Sequence, residues 1–448
     1  MNFDRIRLIV KSPRGQALAW AAGIAVLLMG AQQFVERTTT GQRIYVTSFA
    51  VLQEILPNFD PEKRLPIVVV DISAIAGGRE PGSETPRKRI AELIKAIASA
   101  HPRAIGVDID FSPNEDGWRD WRTDPSFFDM CVSLGRGPEP VPVFLGAYRA
   151  RDDGPDVWLG SDLFSPLAAD VGANTEPSSK VTFRASTHYL PEDAKPTDTP
   201  LKTMSFALAQ AYVQGNADHS WPKAPRLLGF ISPTWIFERT SPADISIWKR
   251  HEGFLLNYSK IDQLHHETLL TTTPTSALEF GPYFAHKIVI LGDVAYANDR
   301  LVLPDRGVTA GVYAHAVGAY TFAVQPIYEF KLYVRLLLDA LAGTPLLLTI
   351  FFGPRQRSDG AALAEARAEL GEIRIARWSA LGVVAAGIVL MATMRVMWLD
   401  FALVAAAQLL HPTIQRWIHR RRHGGEPPAE QVAVPSDHPA KPLGTTQE

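Results

Sequence analysis

Leu65–Asp71 (LPIVVVD), Pro86–Ala100 (PRKRIAELIKAIASA) and Ala104–Phe111 (AIGVDIDF) decide the fold. The first is a continuous apolar run of strand length that ends on a carboxylate and enters a Gly/Pro-rich loop, AGGREPGSETP. The second sets Ile90, Leu93, Ile94 and Ile97 at helical spacing, with start signals over Ser83–Pro86, and Pro102 stops it. The third reads as another buried strand. Strand, helix and strand of these lengths predict a right-handed βαβ crossover whose two strands are parallel neighbours. Parallel strands end on one edge, so Asp71 and Asp108 (or Asp110) are expected at a common crevice, where open α/β sheets bind ligands.

Working outward, further strands are expected at Val141–Ala147, Lys180–Ala185, Gly253–Tyr258 and Lys287–Gly292 (KIVILG), the last followed by Asp293. Helices are expected at Met204–Val213 and Ala310–Phe322. The fold class is therefore an α/β domain with a mixed, largely parallel sheet. Apolar runs outside it add about four transmembrane helices.

The chain's 448 residues carry 45 Lys+Arg against 47 Asp+Glu, but the near-neutral sum hides a segregation. Residues 1–16 hold four basic groups and one acid, while residues 17–330 hold 28 basic and 36 acidic groups, about -8. A net charge of -2 argues against a nucleic-acid partner, which would call for a basic stripe. The single cysteine, Cys131, excludes an intrachain disulfide framework and a Cys-rich zinc site, and is expected to be buried.

Gln16–Phe34 is uncharged and long enough to span a bilayer, and Arg5, Arg7, Lys11 and Arg14 before it place the N-terminus in the cytoplasm. An uncleaved anchor is preferred to a cleaved signal peptide. The expected layout runs as follows: a cytoplasmic segment 1–15, a span over 16–35, and an extracytoplasmic domain over 36–330. A span over 336–352, a cytoplasmic helical loop 353–378, spans at 379–394 and 397–411, and a basic then disordered tail 412–448 complete it. The last two spans read as a hairpin, or as one long span plus an interfacial helix. Arg355, Arg357, Arg367, Arg374, Arg377 and Arg420–Arg422 all fall on the inner side, so the basic segments agree with the alternation. Asp339, inside a span, is either a functional polar group or a packing residue.

The ordered set of motifs resembles the CHASE2 family of extracytoplasmic sensor domains. IVVVD, the Pro86-Arg87 helix start and RAIGVDIDFS match its opening; KIVILGDVAYANDRLVLP followed by GVTAGVYAHAVGAYTF matches its closing block. MSFALAQAY at Met204–Tyr212 and FLLNY at Phe254–Tyr258 are similar to its intervening helix and strand. The resemblance covers roughly residues 37–411. The chain departs from the pattern at Gly82-Ser83-Glu84-Thr85, where the family often has Gly-Trp-Pro, and at SSKVTFR ending on Arg184. Such domains commonly precede a cyclase or kinase. The Pro/Gly/Glu-rich stretch Gly424–Glu448 is too short and polar to bury a core, so no attached output enzyme is expected.

Candidate ligand-binding residues are Asp71, Arg87, Asp108, Asp110, Asp293, Asp299, Arg300 and His315. Carboxylates with an imidazole suit recognition of a small molecule, a divalent metal or acid–base work; equally, strand-end aspartates fix loops and a helical histidine packs. Arg87 at a helix start either meets an anion or is solvated. No nucleophile elbow, phosphate loop or zinc helix motif occurs. Trp118 and Trp121 lie in an acidic loop that is either a lid, a partner surface or ordinary packing, and the Ala/Glu/Arg-rich Asp359–Arg377 is a helical linker.

The resemblance implies a non-enzymatic, membrane-anchored sensing module without a cofactor. Its partners would be an unknown small-molecule ligand, the lipid bilayer and a separate cytoplasmic signalling protein, with a homodimer as a simple means of transmission. The alternatives are an assembly protein whose outer domain binds another envelope protein, and a metal-dependent extracytoplasmic enzyme.

Overall fold

The computed structural model describes residues 39–56, 65–75, 85–112, 119–147, 161–172, 184–189, 200–243, 253–352 and 362–398, together with 405, 408–410 and 413. Positions 216, 218, 227–230, 272, 297–298 and 305 are excepted. The first expected span, Trp118 and the C-terminal tail beyond 413 lie outside the described residues. So do most of the expected 397–411 span and the departure at 82–84.

The chain divides into two compact units: Ala19–Leu341 with Ala385–Phe401, and Met1–Leu18 with Ala342–Val384 and Ala402–Glu448. The first unit is built on a six-stranded sheet of β1 (Ile67–Asp71), β2 (Ala104–Asp108), β3 (Val143–Ala147), β4 (Ala168–Asp170), β5 (Leu269–Leu270) and β6 (Ile288–Gly292). Its order is β4-β3-β2-β6-β1-β5, and every pairing in it is parallel. Antiparallel pairing is confined to small satellites, including the hairpin of β7 (Arg300–Leu303) and β8 (Gly307–Ala310).

Helices of this unit include α1 (Thr39–Ile55), α2 (Arg87–Ala98), α3 (Asp124–Gly135), α4 (Met204–Gln214), α5 (Pro274–Glu279) and α6 (Gly311–Ala323). Alternation along the strands sorts them into layers. Val68, Val70, Ile105, Val107, Val289 and Leu291 form one core with Ile90, Leu93, Ile94 and Ile97 of α2 and Phe127, Phe128 and Cys131 of α3. The opposite face is covered by α4 and α6, whose backbones approach closely: a Cβ on Gly318 would lie 2.3 Å from Ser205 Oγ. All thirteen residues of α6 are buried, which makes it the central helix of its layer. Burial holds the Cys131 thiol well above its ordinary range, as an inert core residue requires.

One expectation is corrected. β1 and β2 are parallel but not neighbours, because β6 lies between them in full register: Asp71 opposite Gly292, and Gly292 opposite Asp108. The physical reason is that IVILG is buried on both faces along its whole length, which only an interior sheet position provides. A helical crossover can skip a strand, so strand–helix–strand spacing fixes direction and handedness but not adjacency.

The C-terminal helices are α7 (Leu332–Phe352) and α8 (Ala362–Met394). Among the described residues, one segment is long and apolar enough to cross a membrane: Ala376–Met394, with mean hydropathy 1.6. From Ala362 onward the Ala/Glu/Arg-rich linker and this segment form one continuous 33-residue helix rather than two elements. After the helix, Arg395 turns at φ 53 and Val396–Met397 pairs in parallel with Tyr328–Glu329. In the second unit, Gln408 accepts from Ser379 Oγ at 3.0 Å and donates to the Ala342 carbonyl at 2.7 Å.

Candidate functional site

The site grows from sheet parity. Gly106 and Gly292 face the helices α4 and α6, since a Cβ on Gly106 would lie 2.9 Å from Leu208 and one on Gly292 would lie 2.6 Å from Val312. Asp108 follows Gly106 by two, and Asp71 pairs with Gly292, so both carboxylates point to that same face at the C-terminal sheet edge. Two strand spacings set their Cα atoms about 10 Å apart, across a strand end that carries no side chain.

Into this gap α6 brings His315. Its Nε2 lies 3.7 Å from Asp108 Oδ1, and the two side chains are only 8% and 9% exposed. Asp108 Oδ2 is buried and accepts no hydrogen bond. Burial pushes the Asp108 carboxyl up to about 7, because a charge there has lost its water without a full replacement. Asp299, just before β7, joins them. Burial first and the Asp108 charge second push it up to about 6, against the opposing pull of His315. Its carbonyl accepts the Gly311 amide at 3.0 Å. Gly311 is required there, since a Cβ would sit 2.2 Å from Asp299 Oδ1.

Tyr313 closes the side nearer β1. Burial raises its phenol, and the Asp71 charge adds to the effect. Its hydroxyl lies 2.9 Å from Thr268 Oγ1, and the His265 ring meets it edge-on at 4.2 Å. Asp71 Oδ1 accepts the Ser73 amide at 2.9 Å and the Val294 amide at 3.5 Å, which ties the loops after β1 and β6 together.

The remaining sequence candidates are elsewhere or do other work. Asp293 Oδ1 accepts the amides of Ala295 and Tyr296, and Asp110 Oδ1 accepts that of Ser112, so both fix turns at the crevice edge. Arg300 is exposed at the start of β7. Arg87 lies in the layer on the far side of the sheet: its Nε donates to Asp124 Oδ1 at 2.5 Å, and its guanidinium stacks 4.4 Å over Phe111. Both charges are buried, so this pair locks α2 to α3. Tyr313 and the two glycines were missed, although Gly292 ends the quoted strand and Tyr313 precedes His315 by two.

Chemically, the cluster is a buried acceptor, Asp108, with a second carboxylate and an imidazole able to share a proton with it. It suits a ligand that brings a hydrogen-bond donor or a positive charge. Among the described residues, no three His, Cys, Asp or Glu side chains are grouped to hold a metal ion.

A family model, the CHASE2 domain, matches residues 18–343, which is most of the chain. No curated protein and no solved structure matches it.

Proposed function

The chain belongs to the CHASE2 domain family, a family of extracytoplasmic sensor domains of membrane proteins rather than catalysts, and from that premise we propose that it is a multi-pass membrane sensor whose ligand enters the Asp71–Asp108–Asp299–His315 crevice. The observation that carries the reading is Asp108, a buried carboxylate with an unpartnered oxygen at the ligand-binding edge of a parallel sheet. Such a group is costly in the folded state and is compensated when a ligand supplies the missing donor. The ligand is a small amine or another donor-bearing cation.

The route from crevice to membrane starts at the end of the domain. Glu329 holds Arg184 through two hydrogen bonds of 2.6 and 2.7 Å. Burial alone would raise the Glu329 carboxyl, but Arg184, Arg239 and Arg335 together hold it below its ordinary range. The same residue pairs with Met397, and Trp398 Nε1 donates to Asp339 Oδ1 of α7 at 3.1 Å. The sheet-forming end of the domain is thus hydrogen-bonded to the turn after the apolar helix. Exposed Trp235 and Tyr333 lie together beside the start of α7, where an aromatic belt meets headgroups. In this proposal four spans, at 16–35, 336–352, 379–394 and 397–411, carry the domain, and ligand binding biases two arrangements of the turn. The shift is limited by the ligand's differential affinity for them. A separate cytoplasmic protein reads that bias through the 353–378 segment, and a homodimer pairs the spans.

The test is a thermal-shift panel on the full chain in nanodiscs, comprising primary and quaternary amines, divalent cations and neutral polyols. An amine is expected to raise the midpoint by several degrees, with the shift lost in both Asp108→Asn and Asp299→Asn. A panel in which only neutral compounds act, or a shift that survives both variants, removes the crevice from the account.

A further inference from the structure

The opposite end of the sheet holds a second feature, independent of the crevice. A cavity of about 750 Å3 opens where β2 and β3 begin and where the C-terminal half of α4 crosses them. That volume lies in the range of small-molecule sites. Its walls are apolar, with Pro102, Pro140, Val141, Phe144, Ala207 and Ala211 among them. Its fixed charges are Arg103 and Lys202 against the single acid Glu139, with His101, His286, Gln210 and Gln214 as further polar groups.

Three details set this apart from a chance surface hollow. Arg103 donates through one terminal nitrogen to the Gly215 carbonyl at the end of α4, while its Nε is buried and has no hydrogen-bond partner. Lys202 has no carboxylate partner among the described residues, and partial burial holds its ammonium below its ordinary range. His101 and His286 both stand in the left-handed region, at φ 54 and φ 60, and are joined by a hydrogen bond from the His286 amide to the His101 carbonyl. Residues other than glycine rarely adopt that conformation, and paired instances at a cavity mouth hold two imidazoles there at a backbone cost. His101 Nδ1 meets Glu139 Oε2 at 2.7 Å on the exposed rim, so the one acid of the lining already has a partner.

We infer that this cavity is a second ligand site, taking an organic anion whose carboxylate or phosphate meets Arg103 and Lys202 while its apolar body lies on the proline and phenylalanine wall. The five-residue strand β2 separates it from Asp108 by roughly 13 Å of chain. The site therefore takes ligands of opposite charge to those of the crevice. α4 borders both regions: its last turn lines the cavity, and Ser205 in its first turn donates to the His315 carbonyl at 3.2 Å.

The test is equilibrium binding to the full chain in nanodiscs of four probes: 2-naphthoate, 2-naphthyl phosphate, neutral 2-naphthylmethanol and inorganic phosphate. At least one of the two organic anions is expected to bind tenfold or more tightly than the neutral analogue and inorganic phosphate. Lys202→Met and Arg103→Gln should each weaken that binding at least fivefold. Lys202 is solvent-exposed, so its variant reports on the site even where the arginine variant fails to fold. Equal binding of the neutral analogue, equal binding of inorganic phosphate, an unaltered affinity in Lys202→Met, or no binding of either organic anion would each overturn the inference.

Discussion

Asp108→Asn keeps the side chain's shape and removes its charge, so it isolates the cost of holding a carboxylate at the sheet edge. In the folded protein the group titrates at about 7, against 3.8 for the same group in water. Each pH unit between those values is worth about 1.4 kcal/mol. Below pH 4 the carboxyl is protonated whether the chain is folded or not, and the substitution changes little. Between pH 4 and 7 the folded state binds more protons than the unfolded one, so wild-type stability falls as pH rises. Above pH 7 the loss is complete, at about 4 kcal/mol as an upper bound. The variant is therefore expected to be more stable than wild type at pH 8, with the advantage vanishing near pH 4. Chemical denaturation of the full chain in detergent, followed across pH 4–8.5, measures it. A variant no more stable at pH 8, or a difference that does not change with pH, would falsify the claim that Asp108 is an uncompensated buried acid.

Three other perturbations separate the crevice from its scaffold. Gly292→Ala places a methyl 2.6–2.7 Å from the Val312 side chain, so α6 must move off the sheet; a loss of about 1–3 kcal/mol is expected in the same denaturation assay. Arg87→Met strands the fully buried Asp124 and should cost about 3–5 kcal/mol while leaving amine affinity of the surviving folded protein unchanged; reduced affinity without lost stability would return Arg87 to the ligand site. Glu329→Gln removes a two-bond ion pair and should cost about 2 kcal/mol near neutral pH. Because the Glu329 pKa is depressed, that contribution is full above its ordinary 4.5 and disappears as pH falls through the folded value. A pH-independent cost would show that the ion pair is not its source.

The sequence announced the parallel sheet because IVVVD, AIGVD and IVILG are continuous apolar runs, and strands buried on both faces read that way. It placed Met204–Val213 and Ala310–Phe322 within a residue or so of the observed helices, since α4 begins at its Thr203 cap and α6 at a glycine. Strand order was not legible. Nothing local in KIVILG states that it inserts between two strands more than 180 residues earlier, because adjacency is a property of the whole sheet. Asp71 and Asp108 were visible as strand-end acids, but the layer that Arg87 joins was not. Its helix packs on the face that Val68 and Val70 supply, away from Asp71. The basic cavity could not be found by motif, because it is assembled from residues 101–103, 138–144, 202–215 and 286, and its charge balance appears only once they are folded together.

The central claim is that the state of the crevice reaches the turn joined to the apolar helix. Hydrogen–deuterium exchange on the full chain in nanodiscs at pH 8, wild type against Asp108→Asn, tests it without knowledge of the ligand. Tyr328 donates to the Arg395 carbonyl at 2.8 Å, and Tyr328–Glu329 pairs with Val396–Met397, so these amides report on the joint. The account predicts altered protection at residues 327–330 and 395–398 together with the change around 311–315. Altered protection confined to the crevice, with the joint exchanging as in wild type, would contradict it.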